Sequence, residues 1–168
     1  MKNRLLVILI SGLVFSSCDK KNLTCKLNAP VNIATTAETA YLQSYLTANG
    51  LTASLKNGMF FNITDLGSGI SPNLCSKLSV TYTGTLITGT TDGPQFDASG
   101  ISPVSLILED LILGWQLILP SVKTGGSVIL YIPPSLGYGS QERKDASGAV
   151  VIPANSYLKF TIKLISIQ

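Results

Sequence analysis

The 168-residue sequence contains no histidine. That absence removes Ser-His-Asp and Cys-His nucleophilic catalysis and most catalytic zinc sites. Charge is scarce as well: only 12% of the residues are Asp, Glu, Lys or Arg. Two of the twelve cations, Lys2 and Arg4, fall within the first four residues, so from Cys18 onward ten cations stand against nine anions. This near balance, with no basic stripe, makes nucleic acid a poor partner. No Gly-Lys-Ser or Gly-Lys-Thr occurs, so there is no phosphate-cradling loop. The carboxylates do not gather at metal-ligand spacing. Glu109 and Asp110 are adjacent, and adjacent helical residues do not face each other, so they suit a helix start better than an acid–base pair. Neither a metal nor an organic cofactor is expected. What remains is 45% hydrophobic, with six Tyr, five Phe and one Trp. That is too apolar for a disordered chain and enough for one domain with a single core and one aromatic pocket.

The N-terminus reads as an address. Lys2 and Arg4 precede an apolar run from Leu5 to Phe15, and Ser16-Ser17-Cys18 follows. A charged start, a short apolar stretch and small residues before a cut form a secretory signal, and the run is too short for a spanning helix. The plain reading is a signal peptide with Cys18 incidental. The segment also resembles a bacterial lipobox, although Phe15 replaces the usual Leu. That resemblance implies lipidation of Cys18 and membrane attachment of a protein facing the periplasm or the surface of a bacterial envelope. Lipidation would leave Cys25 and Cys75. In an oxidising compartment they can pair or stay separate thiols. A bridge closing a loop of about 50 residues is worth about 4 kcal/mol in the chain-entropy model.

Along the rest of the chain, residues 19–33 read as a polar tether. Thr35 and Glu38 form a capping-box pattern, an apolar stripe follows, and Asn49-Gly50 is a stop, which predicts a helix over 35–48. Packing on its own domain, pairing with a second copy or serving as a spacer are all open to this helix, the first being favoured. Strands are predicted at 59–63, 78–83, 104–108, 127–132 and 157–167 from period-two alternation and β-branched content. Gly84 interrupts the second, as at a bulge or a close backbone approach. Residues 88–94 read as a turn, 109–117 as a short helix, and 134–155 as a long loop whose aromatic and apolar residues suggest that it covers something. No internal repeat is visible. The sum is an α+β domain in which a helix packs on one face of an antiparallel sheet.

One constellation stands out. Tyr82-Thr83-Gly84 closes a strand pattern, Phe96-Asp97 follows a turn, and Gly114-Trp115 sits in the short helix. Gly137-Tyr138-Gly139 lies in the long loop, Ile152-Pro153 closes it, and Phe160 falls in the last strand. Singly, each is commonly plain core. In this order and spacing, over residues 58–168, they resemble the FKBP-type peptidyl-prolyl isomerases. The resemblance implies a curved antiparallel sheet wrapped around a short helix, preceded here by an N-terminal helix. It divides the chain into a lipoprotein signal (1–17), a tether (18–34), a helix and connection (35–57) and an isomerase domain (58–168).

By the same resemblance Trp115 looks like a pocket floor, and Tyr82, Phe96 and Phe160 like its walls. Asp97 and Tyr138 look like polar rim groups. Ile152 looks like the residue whose backbone N–H holds a substrate carbonyl, with Val151 beside it, and Val104, Leu111 and Ile112 complete the pocket. Val104 stands where the family often has a further Phe. The segment 99–103 lacks the Arg that often neighbours the pocket Asp, and Ala154 replaces a second Pro. The implied activity is rotation of X–Pro bonds in exported, proline-containing polypeptides, which needs no nucleophile and therefore no histidine. A non-catalytic proline-peptide-binding or chaperone-like envelope lipoprotein is the alternative, and a purely structural lipoprotein a remoter one.

Overall fold

The structure is a computed structural model that describes residues 32–168. Helix α1 (Thr36–Ala48) is followed by β1 (Ser54–Lys56), β2 (Met59–Asp65), β3 (Lys77–Thr88), β4 (Thr91–Ala98) and β5 (Val104–Ile107). Then come α2 (Leu113–Ile118), β6 (Ser127–Ile132), β7 (Arg143–Lys144), β8 (Val150–Ile152) and β9 (Tyr157–Ile167). Six strands pair in the order β1-β2-β6-β9-β3-β4, β5 adds to β3, and β7 with β8 makes a separate two-stranded hairpin. Every pairing is antiparallel. The fold is therefore the expected α+β arrangement.

Strand parity explains how one sheet serves two helices. Successive strand residues point to opposite faces. Leu78 and Val80 of β3, Val128, Leu130 and Ile132 of β6, and Leu158, Phe160, Ile162 and Leu164 of β9 share one core with α2. The alternate positions Ile87, Ile129, Tyr131 and Tyr157 pack with α1 on the other side. The tightly buried α1 residues are Leu42, Tyr45 and Leu46, each at most 1% exposed. Their i, i+3, i+4 spacing places them on one helix face, and burial of each contributes about 1.5–3 kcal/mol.

Both ends of α1 are fixed locally. The Thr35 hydroxyl accepts from the Glu38 N–H while Glu38 accepts from the Thr35 N–H, the capping box read from sequence. At the other end Leu51 N–H donates to the Leu46 carbonyl and Gly50 N–H to Thr47, a Schellman-type closure. The helix also holds the β3–β4 turn. The Tyr41 hydroxyl accepts from the Gly89 N–H at 2.7 Å, Asn49 Nδ2 donates to the Thr90 carbonyl at 2.8 Å, and the Tyr41 ring stacks on Tyr157 at 3.9 Å. Packing on its own domain is thus what α1 does.

A polar knot sits within this helix–sheet contact. The Tyr45 hydroxyl donates to Asp92 at 2.5 Å, and Lys159 Nζ pairs with the same carboxylate at 2.8 Å. Burial pushes the Asp92 carboxyl up, but the hydrogen bonds from Lys159 and Tyr45 and the Lys159 charge outweigh it and hold it below its ordinary value. A carboxyl depressed by folding contributes stability that is complete above the ordinary carboxylate range and is lost as pH falls through the folded value. Asp92→Asn should therefore cost about 1 kcal/mol at neutral pH and reduce the loss of stability between about pH 5 and pH 2. Urea melts of both proteins across that range test this, and parallel pH profiles would contradict it.

Several local expectations are corrected. The β3 strand does not end at Gly84 but continues to Thr88, with register shifts against β4 on both sides of Thr85. The turn assigned to 88–94 shrinks to Gly89-Thr90, and Thr91 to Pro94 belong to β4, so Phe96-Asp97 lie within a strand. The 109–117 helix is split: Leu108–Asp110 forms one 3₁₀ turn, Leu111 and Ile112 are extended, and α2 begins at Leu113. The 134–155 segment is not a bare loop, since it holds a 3₁₀ turn at Pro134–Leu136 and the β7–β8 hairpin.

Strand β1 was not expected at all. Asn57 and Gly58 both take positive φ, 51° and 81°, which is the two-residue hairpin turn favoured by Asn-Gly. This hairpin straddles the division placed at residues 57/58. Cys75, just before β3, is disulfide-bonded. The other two cysteines of the chain, Cys18 and Cys25, lie outside the described residues, as do the expected signal and most of the tether.

Candidate active site

The concave side of the sheet and α2 enclose an aromatic cavity. Trp115 lies in the first turn of α2, its backbone N–H donating to the Ile112 carbonyl, and its side chain packs in the core shared with the sheet. Its ring meets Phe160 of β9 edge-on at 5.3 Å and Tyr82 of β3 edge-on at 5.4 Å. Phe96 of β4 meets Phe160 edge-on at 5.5 Å. Perpendicular contacts at this range suit the ring quadrupoles and add about 0.5–1.5 kcal/mol each beyond area burial.

Strand pairing sets these neighbours, with Gly84 opposite both Asp97 on β4 and Phe160 on β9. Gly84 carries no side chain, and that lets both phenyl rings close over the strand. An added Cβ would lie 2.6 Å from Phe96 Cζ and 2.8 Å from Phe160 Cε1. The interruption read in the sequence is thus a close ring approach as well as a bulge.

The resulting cavity, of about 210 Å³, is lined by Tyr82, Asp97, Leu106, Asp110, Leu111, Ile112, Trp115, Tyr138 and Phe160. A second hollow adjoins it, lined by Phe96, Asp97, Tyr138, Arg143, Val151 and Ile152. The expected residues therefore divide into two groups that share Asp97 and Tyr138. Ile152 and Val151 belong to the hairpin side rather than to the Trp115 cavity. Ile112 lines the cavity and stands at the N-cap position of α2, and its backbone N–H donates to no backbone carbonyl among the described residues. Val104 is absent from both linings and packs against the main core, while Leu106, two residues on, takes the lining position.

Leu106, Asp110 and Arg143 were missed. Leu106 shares a strand face with Val104, so the alternation already noted could have found it. Asp110 was read only as a helix-start acid. Arg143 lies in a run of charges that carried no spacing signal.

The polar groups are ordered. The Tyr82 hydroxyl donates to Asp97 Oδ2 at 2.6 Å. Burial, then that hydrogen bond and the carboxylate charge, raise the Tyr82 hydroxyl far above its ordinary pKa, so it remains a donor. Burial also raises Tyr138, with the Asp97 charge adding and the Arg143 charge opposing. The Tyr138 hydroxyl has no acceptor among the described residues and remains protonated at the rim. Trp115 Nε1 is the sole fully buried side-chain nitrogen or oxygen without a hydrogen-bond partner among them. An unpaired buried donor costs about 1–3 kcal/mol. The arrangement offers a largely dry aromatic slot with donors at its edge, and no nucleophile–base pair.

Comparison with known proteins agrees with this geometry. The family profile described as FKBP-type peptidyl-prolyl cis-trans isomerase matches residues 69–165. Over 131 residues the chain is 37% identical to the FKBP-type peptidyl-prolyl cis-trans isomerase FkpA of Buchnera aphidicola subsp. Schizaphis graminum, covering 76% of this chain and 48% of that protein. It is 35% identical over 129 residues to the peptidyl-prolyl cis-trans isomerase Mip of Coxiella burnetii, covering 75% and 53%. The crystal structure of FkpA from Escherichia coli superposes with a TM-score of 0.62 at 31% identity, covering 79% of this chain and 58% of that one. The chain spans about half the length of the relatives it matches. A profile covering more than half of the sequence, and running from the segment before β3 into β9, leaves one assignment: this chain belongs to the FKBP-type peptidyl-prolyl cis-trans isomerase family.

Proposed function

We propose that the chain accelerates cis–trans rotation of X–Pro bonds in proline-containing polypeptides. The observation that carries this reading is the Trp115 cavity, with Tyr82 and Phe160 edge-on to the indole and Asp97 bound to the Tyr82 hydroxyl. Amide resonance sets a rotation barrier of about 18–20 kcal/mol. Halfway through rotation that resonance is lost, and the amide becomes less polar. A dry aromatic slot penalises the planar, more polar ground state more than the twisted one, which is differential binding in favour of the transition state.

The proline ring sits on the Trp115 face between Tyr82 and Phe160. The Ile112 N–H and the Tyr138 hydroxyl hold chain carbonyls at the rim, so that rotation is confined to one bond. Asp97 fixes Tyr82 and borders the path of the rotating carbonyl. Ile152, whose N–H the resemblance assigns to holding a substrate carbonyl, borders the adjoining hollow and is the second candidate for that donor. Every 1.4 kcal/mol taken from the barrier is about tenfold in rate.

The address remains part of the proposal. Lipidation of Cys18 attaches the protein to a membrane of a bacterial envelope, and its clients are exported polypeptides. With Cys18 in a thioether, Cys25 is the cysteine left to pair with Cys75, and the oxidised Cys75 suits that compartment.

The test is cis-to-trans relaxation of short Leu–Pro peptides with the purified full chain. Acceleration is expected, reduced about tenfold or more in Phe96→Ala, which removes the ring shared by the second hollow and the Gly84 contact. Stoichiometric peptide binding, seen through the single Trp and without acceleration, would replace this reading with the non-catalytic binding module.

A further inference from the structure

The second hollow measures about 350 Å³ and shares Asp97 and Tyr138 with the Trp115 cavity. Consecutive Cα atoms are about 3.8 Å apart, so with Asp97 and Tyr138 common to both, the residue next to a proline seated on Trp115 is within reach of this hollow. Its charges are unevenly engaged. Asp97 already accepts from Tyr82. On the hairpin, Glu142 pairs with Lys144 at 2.9 Å, and Asp145 accepts from the Ser147 N–H, the Ser147 hydroxyl and the Ala149 N–H. Arg143 makes no hydrogen bond or ion pair among the described residues. Its guanidinium lies 4.8 Å from the Tyr138 ring centroid, an arrangement that steadies a long side chain without using its N–H donors. Pairing of Arg143 with Ile152 across β7–β8 fixes its place on the wall.

We propose that Arg143 selects substrates in which an acidic residue adjoins the proline, the guanidinium taking that carboxylate in a charge-assisted hydrogen bond. The proposal rests on the isomerase reading above and adds a preference that the aromatic cavity alone does not supply.

The test compares peptides carrying Glu or Gln immediately before the proline, and a second pair carrying Glu or Gln immediately after it. Each is assayed with the full chain, Arg143→Gln, Arg143→Lys and Arg143→Glu. The readout is the Glu/Gln ratio of kcat/KM within each protein, which cancels any general loss from disturbing Tyr138. In one of the two series the native chain should favour Glu by about threefold, the size of an exposed ion pair. The ratio should fall to about one in Arg143→Gln, persist in Arg143→Lys and invert in Arg143→Glu. It should also fade at about 0.5 M salt.

Native ratios near one in both series, or a ratio unchanged in Arg143→Gln, overturn the proposal. If the native chain accelerates no peptide, the isomerase reading fails instead. The same ratio is then taken from peptide affinities measured by Trp115 fluorescence, and its insensitivity to Arg143→Gln sinks the charge selection separately.

Discussion

Gly84→Val is expected to abolish most turnover, lowering kcat/KM on the order of 100-fold, and to destabilise the fold by about 1–3 kcal/mol. Valine is a better strand residue than glycine, so backbone preference alone predicts a gain. The rings decide otherwise. The new Cβ would meet Phe96 at 2.6 and 2.7 Å and Phe160 at 2.8 Å. Both are ring atoms of packed aromatic side chains, and Phe160 is only 3% exposed. It cannot retreat without pushing on Trp115 and Tyr82, its ring neighbours. The displacement needed is comparable with the precision that catalysis demands. Peptide isomerisation with a parallel urea melt reads both effects. Native-like turnover in Gly84→Val would mean that the aromatic cavity is not a rigid site.

Tyr45→Ala should produce the largest loss of stability of any single change in α1, about 3–5 kcal/mol. The ring is 1% exposed and meets Tyr131 at 5.9 Å. Its removal leaves a void between helix and sheet and takes one donor from Asp92. Tyr45→Phe keeps the ring and should cost about 1 kcal/mol, since Lys159 still pairs with Asp92. Against a typical total of about 5–15 kcal/mol, the first loss is severe and the second tolerable. Tyr45 lies on the face of the sheet away from Trp115, so the folded fraction of Tyr45→Ala should still turn over X–Pro peptides. Denaturant midpoints for the two variants, with activity measured below them, separate stability from catalysis. Equal midpoints would show that α1 is a bystander to the sheet.

The parts of the fold legible in the sequence are those set by local pattern. Residues 157–164 alternate without a break and 157–167 form β9 as read, with a bulge at Ile165, and the Thr35/Glu38 box starts α1 at the expected place. What escaped depends on contacts distant in sequence. Gly84 looked like a strand end because glycine interrupts alternation, yet pairing on both sides carries β3 through it to Thr88. Residues 91–94 have turn composition but are drawn into β4 by β3. The β1–β2 hairpin did have a local signal in Asn57-Gly58, but the three residues of β1 were too few to show alternation.

The site follows the same rule. Trp115, Tyr82, Phe160, Asp97 and Tyr138 were legible through their order along the chain, and the structure brings them to one cavity. Arg143 was not legible, because only the hairpin that folds residues 143–152 back on themselves carries its charge to Tyr138. Val104 and Leu106 could not be ranked from sequence, since both point to the same side of a short strand.

The strand latest in sequence is also the middle of the sheet. β9 pairs along almost its whole length with β3 on one side and over residues 158–163 with β6 on the other. During synthesis, β2 can find β6 and β3 can find β4 and β5, but no strand pairing joins these two groups until residues 157–167 have left the ribosome. The seat of α1 is incomplete until then too, because Tyr157 and Lys159 form part of it. Closure by such distant pairing is slow to begin. The emerging chain thus has a long interval without its finished core, and the length of that interval is set by strand order.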